Sequence, residues 1–118
     1  MEHETQKING LGIYNVHSLM WERNAKQQRG QGGVACLIRK GCEAFISTVK
    51  NDKHKRYIWL KIMTCSDVPT FVAGCYTPHH DSSFYAYIDQ DQPFLDLEED
   101  IAYFKSKGKV IVMGDMNA

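Results

Sequence analysis

The sequence predicts an α/β protein: an α+β sandwich with mostly antiparallel strands and one βαβ unit. In the first two thirds of the chain, several short runs alternate apolar and polar residues, as half-buried strands do. Residues 93–107 instead carry apolar side chains at helical spacing, and this segment lies between the strand candidates 70–76 and 109–114. Since the strands of a βαβ unit are parallel and close together, we expect these two to be neighbours joined by a right-handed crossover.

The first half of the chain predicts three strands and one loop. Residues 11–16 (LGIYNV) are a strand candidate, and the polar, basic residues 17–31 indicate a loop. Residues 34–39 form the next predicted strand, and residues 44–50 are its expected partner. The three residues Lys40-Gly41-Cys42 are short enough for a hairpin connection.

Two further strands complete a predicted meander. Residues 51–56 (NDKHKR) indicate a polar turn, and residues 57–64 alternate again, with Ile58, Leu60 and Ile62 on one face. Residues 70–76 form the following strand. Because the connections are short, we expect the four strands from residue 34 to residue 76 to form an antiparallel meander.

The helix and the last strand have clear boundary signals. The predicted helix covers residues 93–107, with Pro93 in its first turn and Gly108 at the C′ position. Its apolar face consists of Phe94, Leu97, Ile101 and Phe104. The unbroken apolar run 110–113, closed by a glycine, is typical of a strand buried on both faces.

Composition excludes some classes of protein. The 118 residues suffice for one domain or part of one, and 43% of them are hydrophobic. Basic and acidic residues balance at 14 each, so the chain is no bulk polycation. No apolar run approaches the roughly 20 residues of a membrane span, and no secretory signal precedes residue 11. Four cysteines without metal-like spacing indicate reduced thiols. We expect an intracellular protein, nuclear or cytoplasmic, without a membrane partner.

Polar residues follow the last predicted strand. Asp115 and Asn117 come directly after the run that ends at Gly114. In open α/β sheets ligands bind beyond the carboxyl ends of the strands, and the βαβ unit would bring Tyr76 to the same edge. The carboxylate can bind a cation or take a proton, and the neighbouring amide can donate to a phosphate oxygen. The alternative is that Asp115 and Asn117 are ordinary turn residues.

Four landmarks in order carry a family resemblance: Glu4-Thr5, the Gly-Gly-Val at 32–34, Tyr76-Thr77-Pro78, and residues 114–118 (GDMNA). In this order they resemble the endonuclease/exonuclease/phosphatase superfamily, and most closely the apurinic-type endonuclease domain of LINE-type (non-LTR) retrotransposons. The resemblance implies a hydrolase that cleaves DNA phosphodiester bonds with Mg²⁺, or with Mn²⁺ in its place. It further implies target nicking for a retroelement that encodes a reverse transcriptase.

The resemblance also implies roles for four residues. Glu4 resembles the metal-binding glutamate, with Glu2 as a competitor for that assignment, since carboxylate oxygens suit Mg²⁺. Tyr76 resembles the tyrosine whose hydroxyl contacts the scissile phosphate. Asp115 resembles the aspartate that orients or deprotonates the attacking water. Asn117 resembles the amide that holds a phosphate oxygen in the transition state.

The sequence departs from the family pattern at both ends. It contains no counterpart of an asparagine on a strand before the glutamate, of a second Asp/Asn pair, or of a catalytic histidine after residue 117. The five histidines lie elsewhere, at His3, His17, His54, His79 and His80. We interpret His79-His80 as part of a solvated loop, because adjacent side chains diverge. We therefore expect residues 1–118 to be a partial domain, truncated at both ends, that does not cleave DNA at a useful rate alone.

Other functions stay open from the sequence. A phosphatase or lipid phosphodiesterase of the same superfamily would share the Gly-Asp-x-Asn motif. A decayed or domesticated fragment would act as a non-catalytic interaction domain. Two basic groups are candidates for contact with a phosphate backbone, although solvation is the expectation for the second: Arg23, Lys26 and Arg29, and then Lys50, Lys53, Lys55 and Arg56. The sequence predicts neither the oligomeric state nor the target preference.

Overall fold

The structure, a computed structural model, describes residues 33–53, 56–78, 89 and 91–117, together with the backbone of residues 14–20. The described part is mixed α/β, with a four-stranded mixed sheet, a two-stranded sheet and one α-helix. In chain order the elements are β1 (Tyr14–Met20), β2 (Gly33–Arg39), a 3₁₀ turn (Glu43–Phe45), β3 (Ile46–Asn51), β4 (Tyr57–Ile62), β5 (Thr70–Tyr76), α1 (Gln92–Lys105) and β6 (Lys109–Asp115). No helix among these residues is long and apolar enough to cross a membrane.

Strands β5 and β6 are adjacent and parallel, as the βαβ pattern predicted. Their register pairs Thr70 with Lys109 at one end and Tyr76 with Asp115 at the other. Helix α1 lies between them in the chain. The parallel pairing is therefore confirmed, and the right-handed crossover stays a prediction.

The meander is confirmed for three of its four strands. The large sheet has the order β3-β4-β5-β6, and the β3/β4 and β4/β5 pairs are antiparallel. The predicted hairpin between β2 and β3 is wrong, because β2 pairs instead with β1. After β2, Gly41 adopts a φ of 97° and the chain enters the 3₁₀ turn, so it leaves one sheet for the other.

The predicted loop over residues 17–31 is wrong at its start, where the chain forms the end of strand β1. Residues 17–20 belong to β1, and the pairing with β2 runs from Tyr14 opposite Arg39 to Met20 opposite Gly33. The polar residues of this segment suggested a loop, but pairing with β2 supplies the backbone hydrogen bonds that make it a strand. The start of the predicted strand, residues 11–13, lies outside the described residues.

The two sheets pack face to face. Ile58 and Leu60 are buried and contact Val34 and Cys36 of β2. Gly74 faces the same contact, where an added Cβ would lie 3.3 Å from Val34 Cγ1 and 3.4 Å from Cys36 Sγ. The absence of a side chain at Gly74 thus lets β2 pack closely on the large sheet.

Helix α1 covers the other face of the large sheet. Trp59 is completely buried, and the rings of Trp59 and Phe71 lie 4.5 Å and 4.7 Å from that of Phe104. Leu97 belongs to the same cluster. The predicted place of Phe94 on the buried face is wrong, because this side chain is 38% exposed. Asp100 faces inward instead, since its carboxylate accepts hydrogen bonds from Trp59 Nε1 (3.1 Å) and Lys50 Nζ.

The junction between α1 and β6 depends on close packing at Gly108. A Cβ here would lie 2.2 Å from the Pro69 carbonyl oxygen, and the next residue, Lys109, donates its N–H to that oxygen at 3.0 Å. The C-cap of the helix is Ser106, so the C′ position falls on Lys107 and the predicted C′ position of Gly108 is wrong by one residue. Glycine is needed there for the approach to Pro69 and not to end the helix in a left-handed conformation.

Strand β6 is buried on one face only. Val110 and Val112 pack on the core beneath the helix, whereas Ile111 is 47% exposed and Met113 is 54% exposed. The prediction of burial on both faces is therefore wrong. The reason is the position of β6 at the edge of the described sheet, beyond the contact that β2 makes with β4 and β5.

Candidate active site

The carboxyl ends of β5 and β6 bring Tyr76 and Asp115 side by side. These two residues are the last pair of the parallel register. The N–H of Thr77 then donates to the carbonyl oxygen of Asp115 at 2.8 Å, which continues the ladder past the strands. The predicted adjacency of Tyr76 and Asp115 is confirmed, and the roles of both side chains stay predictions.

Gly114 allows the backbone to pass close to β5 just before Asp115. Its φ is 142°, a conformation that other residues rarely adopt. A Cβ at this position would lie 1.9 Å from the carbonyl oxygen of Cys75. The glycine of the Gly-Asp-x-Asn motif therefore has a structural cause in this chain.

Asn117 is held in a tight turn against both strands. Its backbone has a φ of 44°, in the left-handed region that asparagine tolerates better than most residues. Its N–H donates to Asp115 Oδ1 at 3.1 Å, and its side-chain Nδ2 donates to the Thr77 carbonyl oxygen at 2.7 Å. Because an amide nitrogen carries two hydrogens, a second N–H remains, and it has no acceptor among the described residues.

The exposure of these residues suits a site at the surface. Asp115 and Asn117 are exposed, and Tyr76 is half-buried. Thr77 and Pro78 beneath them are buried. The carboxylate and the amide thus face solvent while the backbone that supports them is packed.

A buried arginine supports the same edge, and the sequence analysis missed it. Arg56 is fully buried, and its Nε and Nη2 donate to Asp52 at 2.6 and 2.9 Å. Nη2 also donates to Asp96 Oδ2 at 2.7 Å. The expectation that Arg56 is solvated is therefore wrong, and so is its alternative, contact with a phosphate backbone. The spacing of Asp52 and Arg56 was the available signal, but the third partner lies forty residues away.

The ion pair between Arg56 and Asp96 shifts the pKa of each partner toward its charged form. Burial lowers the pKa of Arg56, but the hydrogen bonds that Arg56 donates to Asp52 and Asp96 outweigh burial and raise this pKa above its usual value. Partial burial likewise raises the pKa of Asp96, but hydrogen bonds from Arg56 and Gln92 bring it below its usual value. Burial, reinforced by the Asp52 charge, raises the pKa of Tyr57, which keeps its hydroxyl protonated.

Several predicted residues lie outside the described residues. These are Glu4 with its competitor Glu2, four of the five histidines, Lys55, and the basic group Arg23, Lys26 and Arg29. Of His17 the structure gives only the backbone, in β1 opposite Cys36. Lys50 forms an ion pair with Asp100, and Lys53 is exposed.

The donor chemistry at the sheet edge suits a hard cation. Asp115, Asn117 and Tyr76 offer oxygen atoms, which Mg²⁺ prefers. Within the described residues, no three His, Cys, Asp or Glu side chains form a group that could hold a metal ion.

Comparison with known proteins found no relative of this chain. No family model, no curated protein and no solved structure matches the chain. Membership of the endonuclease/exonuclease/phosphatase superfamily therefore stays a proposal that depends on the motifs and on the geometry of the sheet edge.

Proposed function

We propose that this chain carries part of the catalytic site of a Mg²⁺-dependent phosphodiesterase of the endonuclease/exonuclease/phosphatase type, with DNA as its substrate and target nicking for a retroelement as its task. The observation that supports this most is the placement of Asp115 beside Tyr76, with Asn117 tied to both strands. These are the residues to which the resemblance gives chemical roles.

Asp115 acts on the attacking water in this proposal. The N–H of Asn117 holds Oδ1, which fixes the orientation of the exposed carboxylate. The second oxygen, Oδ2, can then accept a proton from a water molecule placed for in-line attack on phosphorus. The backbone bond from Thr77 to Asp115 keeps this carboxylate at the end of the sheet.

Asn117 and Tyr76 act on the phosphate. Because the carbonyl of Thr77 already binds one N–H of the Asn117 amide, the other N–H has a fixed direction and can donate to a non-bridging oxygen. The hydroxyl of Tyr76 can donate to a second oxygen. Donors that are fixed before the reaction stabilise the charge that develops in the transition state.

Glu4 with the oxygen groups of this edge would hold the cation, which would supply charge neutralisation at the phosphate. The resemblance implies a histidine and a second Asp/Asn pair that residues 1–118 do not match. Because catalytic groups that act as a unit are strongly non-additive, we propose that this chain alone is nearly inactive. Plasmid nicking with Mg²⁺ is then expected to stay at the level of an Asp115→Ala variant.

The metal assignment can be tested on this chain with Mn²⁺, which broadens the NMR signals of nearby nuclei. We expect broadening at the amides of Tyr76, Asp115 and Asn117. Glu4→Gln should weaken this effect strongly, and Glu2→Gln, its matched control, should leave it unchanged.

Two results of this experiment would count against the proposal. Uniform broadening along the chain would show that the sheet edge does not hold the cation, and broadening that persists in full in an Asp115→Asn variant would show that the Asp115 carboxylate is not among the groups that hold it. Equal effects of the Glu2 and Glu4 variants would remove the assignment of Glu4 alone.

A further inference from the structure

An open groove lies between α1 and the β3 side of the sheet. Helix α1 packs on β4, β5 and β6, and β3 contributes no residue to the described core cluster beneath it. The groove has a volume of about 580 Å³. This lies within the range of roughly 300–1,000 Å³ that is typical of small-ligand sites.

A β-bulge in β3 shapes one wall of the groove. Thr48 pairs with Leu60 and Lys50 pairs with Trp59, so Val49 is the extra residue. Because Trp59 lies in the core under the helix, the bulge brings Lys50 to the helix side of the sheet. Lys50 there forms an ion pair with Asp100, so the charges of these two lining residues compensate each other.

The groove also has an aromatic wall. The ring of Tyr103 is edge-on to that of Phe104 at 5.0 Å, and Phe104 packs on Phe71 in the floor. Tyr103 is 57% exposed, whereas Phe104 is only 4% exposed. Val49, at the opposite wall, is 41% exposed. Tyr103 therefore presents an exposed ring that rests on the core, and Val49 presents exposed apolar surface at the other wall.

Two lysines give the rim a positive charge. Among the described residues, neither Lys61 nor Lys107 takes part in an ion pair. Lys107 Nζ lies 4.9 Å from the centre of the Tyr103 ring, which places a cation directly at the aromatic wall. Of the lining residues that the structure describes, Glu99 is the one carboxylate besides the compensated Asp100. The groove thus combines apolar walls with an excess of positive charge.

We propose that this groove binds a small anion that carries an aromatic ring, with the ring between Val49 and Tyr103 and the anionic group between Lys61 and Lys107. A nucleotide and an aromatic carboxylate share this chemistry. The groove is separate from the candidate active site: Phe71 and Tyr76 are five residues apart on β5, which is roughly 16 Å at 3.3 Å per residue. The proposal does not depend on the phosphodiesterase assignment.

The test is an NMR titration of the chain with two anions and their neutral counterparts. The pairs are adenosine monophosphate with adenosine, and indole-3-acetate with indole-3-acetamide. We expect saturable shifts at the amides of Val49, Lys61 and Tyr103 with at least one anion, and roughly fivefold weaker binding of its neutral counterpart. If only one of the two anions binds, the ligand of the groove belongs to the class of that anion. If both bind, the groove recognises the aromatic ring and the negative charge that they share.

Charge variants locate the anionic group. Lys61→Gln and Lys107→Gln should each weaken binding roughly two- to fivefold, and Glu99→Gln should strengthen it by a similar factor. Lys40→Gln is the matched control, because Lys40 is exposed and lies outside the groove. The proposal is overturned if neither anion gives saturable shifts, if the neutral compounds bind equally well, or if Lys40→Gln weakens binding as much as the two groove variants.

Discussion

The backbone carbonyl of Arg56 accepts a hydrogen bond from the backbone N–H of Tyr76 at 2.7 Å. The guanidinium of Arg56 at the same time forms ion pairs with Asp52 and Asp96. A buried ion cluster and the edge of the candidate active site are therefore connected through one residue. Tyr76 is fixed from one side by this bond and from the other by its pairing with Asp115.

Removing the guanidinium should destabilise the fold strongly. Arg56→Met leaves the carboxylate of Asp52, whose side chain is only 6% exposed, without its cation. Breaking a buried pair in this way costs about 3–5 kcal/mol of unfolding free energy, measured by urea denaturation. Lys53→Met, which removes an exposed charge nearby, should change stability by less than about 0.5 kcal/mol. A similar loss in both variants would show that the ion cluster is not what stabilises this edge.

Gly114→Ala should be much more damaging than Gly41→Ala. Both glycines have positive φ, at 142° and 97°, so both substitutions strain the backbone by about 1–3 kcal/mol. At Gly41 no atom lies within 4 Å of the added Cβ, whereas at Gly114 the Cys75 carbonyl oxygen lies at 1.9 Å. We expect a larger loss of unfolding free energy at Gly114, with NMR shifts at Asp115 and Asn117. Equal losses at both positions would contradict the close approach of β6 to β5.

Protonation of Asp96 should account for part of the loss of unfolding free energy in acid. Its pKa in the folded chain lies below the usual value of about 4, because hydrogen bonds from Arg56 and Gln92 outweigh its partial burial. Its contribution to stability is therefore complete above about pH 4 and is lost as the pH falls through the lower folded-state pKa. Asp96→Asn should reduce this loss, so the stability difference between the variant and the natural chain should shrink from about pH 6 to about pH 2.5. A difference that does not change with pH would contradict the ion pair.

Local patterns predicted the parts of the fold that depend on local order. Helical spacing between two strand candidates was enough to place β5 beside β6, and with them Tyr76 beside Asp115. The pairing of β2 was not predictable in this way, because the 3₁₀ turn after Gly41 decides which sheet the chain enters next. The inward position of Asp100 was missed for a related reason. It depends on Trp59, forty-one residues away, and the helix pattern alone favoured an apolar residue.

The candidate site was predictable only where neighbouring strands define it. Asp115 is the last residue of β6 and Asn117 comes two residues later, so their place at the sheet edge follows from the chain order. The turn at Asn117, which ties its amide to Thr77, has no sequence signal beyond the tolerance of asparagine for positive φ. The burial of Arg56 needed two carboxylates from different elements, and the polar run 51–56 concealed it.

The most direct test of the account is a titration of the chain with the dinucleotide thymidylyl-thymidine in the presence of Mg²⁺, followed at the side-chain amide of Asn117. Thr77 holds one hydrogen of this amide, so binding of a phosphodiester should shift the signal of the other hydrogen more. Asp115→Asn should reduce the shift, because the bond to the Asn117 N–H and the carboxylate charge both change. The account predicts a saturable, Mg²⁺-dependent shift of that one hydrogen. Equal shifts of both hydrogens, no shift, or a shift that the Asp115 variant retains in full would contradict it.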